Sequence, residues 1–161
     1  FIMKRLAAIL AFTFTFGLMS FCAASISLDD CVLGGITIRS NAEYVKSVYG
    51  EPTRITRSLM HDLPMYEYGD SFYIVFSDDM NFVQVMGTTA NNGIATPKGI
   101  SVGMKRMDVL GAYGTPTKTG YDNKRRVTSC FYDAGYSYFG IVFKINPETD
   151  QVTDIFVGML D

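Results

Sequence analysis

The chain has 161 residues, 48 % hydrophobic, 19 % charged and 14 % aromatic with no Trp, a composition that excludes intrinsic disorder and collagen-like repetition. Its 14 Lys and Arg against 16 Asp and Glu supply no basic stripe of the kind a phosphate backbone demands, so no nucleic-acid partner is expected. This length holds one domain, or two small units sharing a core, because a unit much below ~60 residues buries too little surface to stand alone.

The first element is a targeting segment. Met3-Lys4-Arg5 gives a positive start, Leu6 to Met19 is almost continuously apolar, and small residues follow at Ala23-Ala24-Ser25. This is the pattern of a secretory signal peptide over residues 1–24, cut near Ala24 or Ser25, after which no membrane-spanning stretch is expected. Phe21 before Cys22 is too bulky for the usual lipidation motif. Removal of the signal leaves 12 basic against 16 acidic residues, a net charge of −4, and two cysteines, Cys31 and Cys130. In an exported protein an even pair suggests a disulfide, which in the chain-entropy picture contributes up to ~4.7 kcal/mol. Two buried free thiols are the alternative.

After a lead-in over residues 25–34, the chain repeats itself. A shift of 64 positions lays Gly35-Ile36 on Gly99-Ile100, Val45 on Val109, Tyr49-Gly50 on Tyr113-Gly114, and Pro52-Thr53 on Pro116-Thr117. Residues 35–87 and 99–158 are therefore read as two repeats joined by a linker over 88–98, together one domain. In the first, Ser40 with Glu43 reads as a capping box, and Ala42, Val45 and Tyr49 share one side of a short helix stopped by Gly50 and Pro52. Period-two patterns then predict strands at Thr53–Leu59, Met65–Tyr68, Phe72–Ser77 and Phe82–Gly87. The second repeat predicts a helix over residues 105–113, frayed at its start because Met104-Lys105 offers no good cap, and ending at Gly114 and Pro116. Its strands are expected at Thr117–Tyr121, Arg125–Tyr132, Ser137–Asn146 and Gln151–Gly158. The expected class is α+β: two tandem units, each a short helix followed by a four-stranded antiparallel meander, forming one antiparallel sheet or two abutting four-stranded sheets, with the helices on one face.

Ile100-Ser101-Val102-Gly103-Met104, then Val109, then Gly114-Thr115-Pro116, resembles the signature of small bacterial envelope proteins of the BamE type. The hairpin from Phe143-Lys144-Ile145-Asn146 to Val152-Thr153-Asp154-Ile155 is similar to theirs. The duplication resembles the β-lactamase inhibitory protein, which carries two helix-plus-meander units and binds enzymes with its open sheet face. These resemblances imply a fold. The matching residues are helix boundaries and core positions, so no contact residue carries over.

Catalytic chemistry is hard to assemble. His61 is the single His, and Ser58 and Asp62 are too close to it along one loop for a triad, whose members meet through the fold. Asp78-Asp79 with Asn81 lacks the Gly and distant Glu of a calcium loop and reads as a hairpin turn. Gly99 to Gly103 lacks the Gly-Lys-Ser/Thr of a phosphate loop. No cofactor, metal or catalytic residue is assigned.

Two features point to binding. If Phe72, Ile74 and Phe76 face the helices, Tyr73 and Val75 face the other way, and Tyr138 and Val142 do so in the second repeat. Tyr66, Tyr68, Tyr132 and Tyr136 are expected to join them in a tyrosine-bearing surface suited to a partner. Arg54 and Arg57, with Lys124, Arg125 and Arg126, give each first hairpin a basic edge. Such an edge steers anionic partners or simply keeps strand edges from pairing. The expectation is a secreted, periplasmic or cell-surface protein that is not an enzyme and binds another protein, as an inhibitor among other roles. The alternatives are a structural envelope component contacting cell-wall polymer, and a hydrolase with an unseen site.

Overall fold

Strands dominate the described residues because their apolar side chains alternate through most of the segments from residue 53 onward. The computed structural model describes residues 26–136 and 138–160; the signal peptide expected over 1–24 lies outside them. A 3-10 turn, Leu28–Asp30, leads into a two-stranded ribbon of β1 (Val32–Leu33) and β2 (Ile36–Thr37). Helix α1 (Ala42–Tyr49) is followed by β3 (Arg54–Arg57), β4 (Pro64–Tyr68), β5 (Phe72–Phe76) and β6 (Val83–Thr88). Helix α2 (Arg106–Tyr113) is followed by β7 (Lys118–Asp122), β8 (Val127–Asp133), β9 (Phe139–Asn146) and β10 (Gln151–Met159).

The expected α+β class is not what forms. Among the described residues two α-helices of 8 residues each stand against ten strands, so this part of the chain is mostly β. Nor does the chain build two separate helix-plus-meander repeats: β3 to β10 form one continuous antiparallel sheet of order β3-β4-β5-β6-β10-β9-β8-β7 rather than two abutting ones. The junction is the pairing of β6 with β10, where Thr88 meets Ile155 and Gly87 meets Phe156. Local alternation marks each strand and its faces, but this central pairing is a long-range contact that no local pattern announces.

Helix ends also differ in detail from the sequence reading. Asn41, not Ser40, caps α1, its side chain accepting the Tyr44 N–H at 2.8 Å. Ser40 instead turns back to accept the Thr37 N–H. The start of α2 is held rather than frayed: Asp108 accepts the Lys105 N–H at 2.8 Å, and the β9–β10 turn supplies Thr149 and Asp150 carbonyls to the Lys105 ammonium and the Arg106 N–H. Both helices stop at glycines, Gly50 and Gly114, with φ of 78° and 70° and ψ near extended values. A side chain with a Cβ rarely adopts that conformation.

The helices cover one face of the sheet. Ala42, Val45, Val109 and Tyr113 pack there with Phe72, Ile74, Phe76, Ile141, Phe143 and Ile145 in one continuous apolar core. Cys31 and Cys130 belong to that core, fully enclosed and unbonded, so the expected disulfide does not form. Each behaves as a small hydrophobe. Burial, reinforced by Asp30, pushes the Cys31 thiol up to about 11, and burial also raises Cys130.

Candidate binding groove

Cross-strand register decides which side chains reach the face the helices leave uncovered. One row runs Glu67, Tyr73, Gly87, Phe156, Val142, Phe131 across six strands, with Arg54 and Lys118 at its ends. The adjoining row carries Met65, Val75 and Val85, then Gly158 and Gly140. On the opposite side of the first row, Asp154, Lys144 and Ser129 are aligned on β10, β9 and β8. The twisted sheet curls these rows into a groove of about 880 Å³, with the β3–β4 hairpin and Leu160 among its walls. Its floor is apolar, and its charges sit toward the margins.

Glycine at position 87 shapes the floor. A Cβ there would lie 2.6 Å from the Phe156 ring and 2.7 Å from the Tyr73 hydroxyl. The two rings therefore fold over the bare backbone of β6 and approach each other with centroids 6.3 Å apart. Burial, then the charge of Asp154, pushes the Tyr73 phenol up to about 12, with Arg125 acting in the opposite direction. Lys144 lies 4.6 Å above the Phe156 ring, a cation–π arrangement that keeps the ammonium against the floor. Burial, then Arg125, lowers its pKa, while Asp154 and Asp122 oppose the change.

The structure divides the tyrosines expected on this surface. Tyr73 and Val142 line the groove as expected. Tyr66, Tyr68 and Tyr132 do not: they pair across strands with Ile74, Phe72 and Ile141, which places them on the helix side. Their hydroxyls explain how phenols are accommodated there. Tyr132 donates to the Gly114 carbonyl at 2.9 Å and Tyr68 to the Gly50 carbonyl at 3.1 Å, each tying the sheet to the end of a helix. Tyr66 packs edge-on to Phe76 beside the Lys46 ammonium. Tyr136 and Tyr138 are exposed in the β8–β9 turn, and neither lines the groove. Tyr138 precedes β9 and has φ of 65°, so strand alternation does not extend to it.

The basic edges are largely neutralised. Arg54 is held by Glu67 and Asp70, Arg57 by Asp62 and Asp78, and Arg126 by Glu148. Lys124 is exposed in the β7–β8 turn, where its N–H and that of Arg125 are accepted by Asp122. Arg125 alone of the five expected basic residues lines the groove. Ser58 and His61 are also in its wall, but Asp62 is engaged by Arg57 and the Ser58 hydroxyl accepts the Leu63 N–H. The hairpin tip is apolar, with Leu59 and Met60 fully or largely exposed. Phe131, Phe156 and Lys144, absent from the sequence-derived surface, prove central to it. Alternation from Val142 and the F-x-I-N hairpin could have marked all three.

No family model matches the chain, and no curated protein is similar to it in sequence. Among solved structures it is similar to an extracellular protein containing a SCP domain from Bacillus anthracis, at 12 % identity over 99 % of this chain and 50 % of that one, with a TM-score of 0.58. A cysteine-rich secretory protein from Staphylococcus aureus matches at 10 % identity over 84 % and 49 %, with a TM-score of 0.54. A DUF4309 family protein from Bacillus subtilis matches at 13 % identity over 78 % and 82 %, with a TM-score of 0.48. The chain thus spans about half the length of the first two. The likeness to these two is one of fold, and neither is described as a BamE-type protein or a β-lactamase inhibitory protein.

Proposed function

We propose that this protein is an exported, non-enzymatic binding protein and that the uncovered sheet face is its binding surface. The observation that carries this reading is the groove itself: an apolar floor in the middle of the sheet, with charged groups at its margins. An exposed apolar surface of this kind is costly to leave in water and marks a place where another molecule sits. Export is supported by the leader-like pattern at Met3 to Ser25 and by the extracellular and secretory descriptions of two proteins of similar fold. A binding rather than a catalytic role is supported by the predominance of apolar side chains in the lining and by the engagement of Asp62 with Arg57. The alternative, a scaffold holding cell-wall polymer by its basic edges, has weaker support, since Arg54, Arg57 and Arg126 already have carboxylate partners.

Photo-crosslinking tests the reading. A benzoylphenylalanine placed at Phe131, in the groove, is compared with one at Val48, exposed on α1. Exposure to the exported fraction of the source cells should yield adducts from position 131 and none from position 48. Equal labelling at both positions, or none at 131, refutes it.

A further inference from the structure

The six arginines among the described residues are not equivalent. Arg39, Arg54, Arg57, Arg106 and Arg126 each lie within ion-pair distance of a carboxylate. Arg125 has no such partner among the described residues, and neither does Lys144; both line the groove. Their charges act on one another, and Arg125 also acts on the Tyr73 hydroxyl. Two acids, Asp122 and Asp154, are close enough to act on these charges, but neither is in ion-pair contact with them and each is hydrogen-bonded to another donor. Asp122 accepts the backbone N–H groups of Lys124 and Arg125 at 2.8 and 3.1 Å, and Asp154 accepts the Thr153 hydroxyl at 2.7 Å. A half-buried ammonium and an exposed guanidinium, neither in ion-pair contact with a carboxylate among the described residues, therefore stand at one end of an apolar floor. Burial already disfavours the Lys144 charge, and an arriving anion would restore what the ammonium lost with its water.

We propose that the groove binds a single-chain anionic amphiphile, its alkyl chain along the floor and its carboxylate or phosphate head between Arg125 and Lys144. This rests on the reading of the groove as a binding surface and names what fills it. The floor argues for an alkyl chain over a polypeptide. Every strand of the large sheet except its edges β3 and β7 is hydrogen-bonded on both sides, so strand addition is closed along the floor. An amide lying on Val75, Val142 and Phe156 would lose its water without gaining a partner, whereas a methylene has nothing to lose. The dimensions agree: from Lys144 on β9 to Met65 on β4 are four strand spacings, roughly 19 Å, the reach of a long acyl chain. Beyond Met65, the exposed Leu59 and Met60 extend the apolar path.

The test uses the protein in solution with cis-parinaric acid, whose fluorescence rises on leaving water, and with its methyl ester. The acid should bind at least about tenfold more tightly than the ester, as expected for charge-assisted hydrogen bonds to the head. Dodecyl phosphate should displace it and dodecyltrimethylammonium should not. Lys144→Met combined with Arg125→Gln should remove the preference for the acid over the ester, with a cooperative urea transition showing that the variant is folded. Arg126→Gln, on the same hairpin but paired with Glu148, should behave as the parent. Equal binding of acid and ester overturns the assignment of the head site but leaves the groove a binding surface. No binding of either probe, with crosslinking to a polypeptide at position 131, overturns the amphiphile while sparing the binding reading. No binding of either probe and no crosslink overturns both. Co-sedimentation with phosphatidylglycerol vesicles without binding of monomeric acid assigns the surface to a membrane and likewise overturns the proposal.

Discussion

Tyr132 and Tyr73 look alike in sequence, each inside an alternating aromatic strand, and the structure puts them on opposite faces with different consequences for stability. Tyr132 is 1 % exposed, its ring 5.5 Å from Tyr113 and 5.8 Å from Phe143, and its hydroxyl donates to Gly114 at 2.9 Å. Removing a ring so enclosed costs about 3–5 kcal/mol, and the lost hydrogen bond about 1 kcal/mol more. Tyr132→Ala should therefore destabilise by ~4–6 kcal/mol, a large part of the ~5–15 kcal/mol typical of a domain. Tyr132→Phe keeps the ring and should lose only the ~1 kcal/mol of the hydroxyl. Tyr73 has open groove on one side, so Tyr73→Ala should cost ~1–2 kcal/mol from the area it covers on Gly87 and Phe156. Urea titration of the three variants, with the slope checked for constancy, measures these values directly. Equal destabilisation by Tyr73→Ala and Tyr132→Ala would mean that both faces are closed, and the groove would not exist as described.

Two glycines give a second contrast. The atoms nearest a Cβ in Gly87→Ala belong to the Phe156 and Tyr73 side chains, which can lift into the groove, whereas Gly140→Ala runs into the Tyr132 backbone oxygen and cannot be relieved without moving a strand. The first should cost ~1 kcal/mol and the second ~3 kcal/mol, and Gly87→Ala should also weaken binding of any groove ligand; thermal melts and a ligand titration check both. Both thiols should alkylate only on unfolding, with an intact mass unchanged by reductant, because Cys31 and Cys130 are free and buried; a two-dalton gain on reduction would contradict this. Stability should fall at alkaline pH. Cys31 is raised from 9.0 to about 11, and Tyr68 and Tyr73 from 10.0 to about 12, mainly by burial. A raised acid favours the folded state fully below its unfolded pKa and loses that contribution as pH climbs toward its folded value. The decline should begin near pH 9 and steepen above 10 in urea midpoints, and Cys31→Ala should flatten its first part.

How much of this was legible in the sequence differs between short and long range. The helices at Ala42–Tyr49 and Arg106–Tyr113 were marked by Val45 and Val109 on their buried sides and by the glycine stops at 50 and 114. The positions of β3 to β10 followed from alternation to within two residues, since side-chain period reports a strand's two faces directly, whereas β1 and β2, two residues each, are too short to show a period. What alternation does not contain is which strand meets which. The pairing of β6 with β10 joins residues about 70 apart and turns two runs of four strands into one sheet. The same gap misplaced the disulfide: an even count of cysteines in an exported chain says nothing of whether their Cα atoms approach, and here both thiols are absorbed by the core.

The groove shows where the boundary lies. Taking Phe72, Ile74 and Phe76 as the helix side placed Tyr73 and Val75 on the open face, and the structure agrees. The tyrosines of β4 and β8 needed one step more, because a residue shares a face with the residue directly opposite it on the next strand. Tyr66 opposes Ile74, and Tyr132 opposes Ile141, so both had to lie under the helices. Their phenols looked like binding groups because a hydroxyl argues against burial, yet each helix ends in a glycine whose neighbouring backbone leaves a carbonyl free to accept one, as Gly114 does from Tyr132 and Gly50 from Tyr68. The tyrosines of the core and the glycines of the helix ends are thus one device, and the open face is left to Tyr73, Phe131, Phe156 and Lys144. On that face a single Cβ at position 87 would lift the aromatic floor, so the depth of the groove rests on a residue that has no side chain.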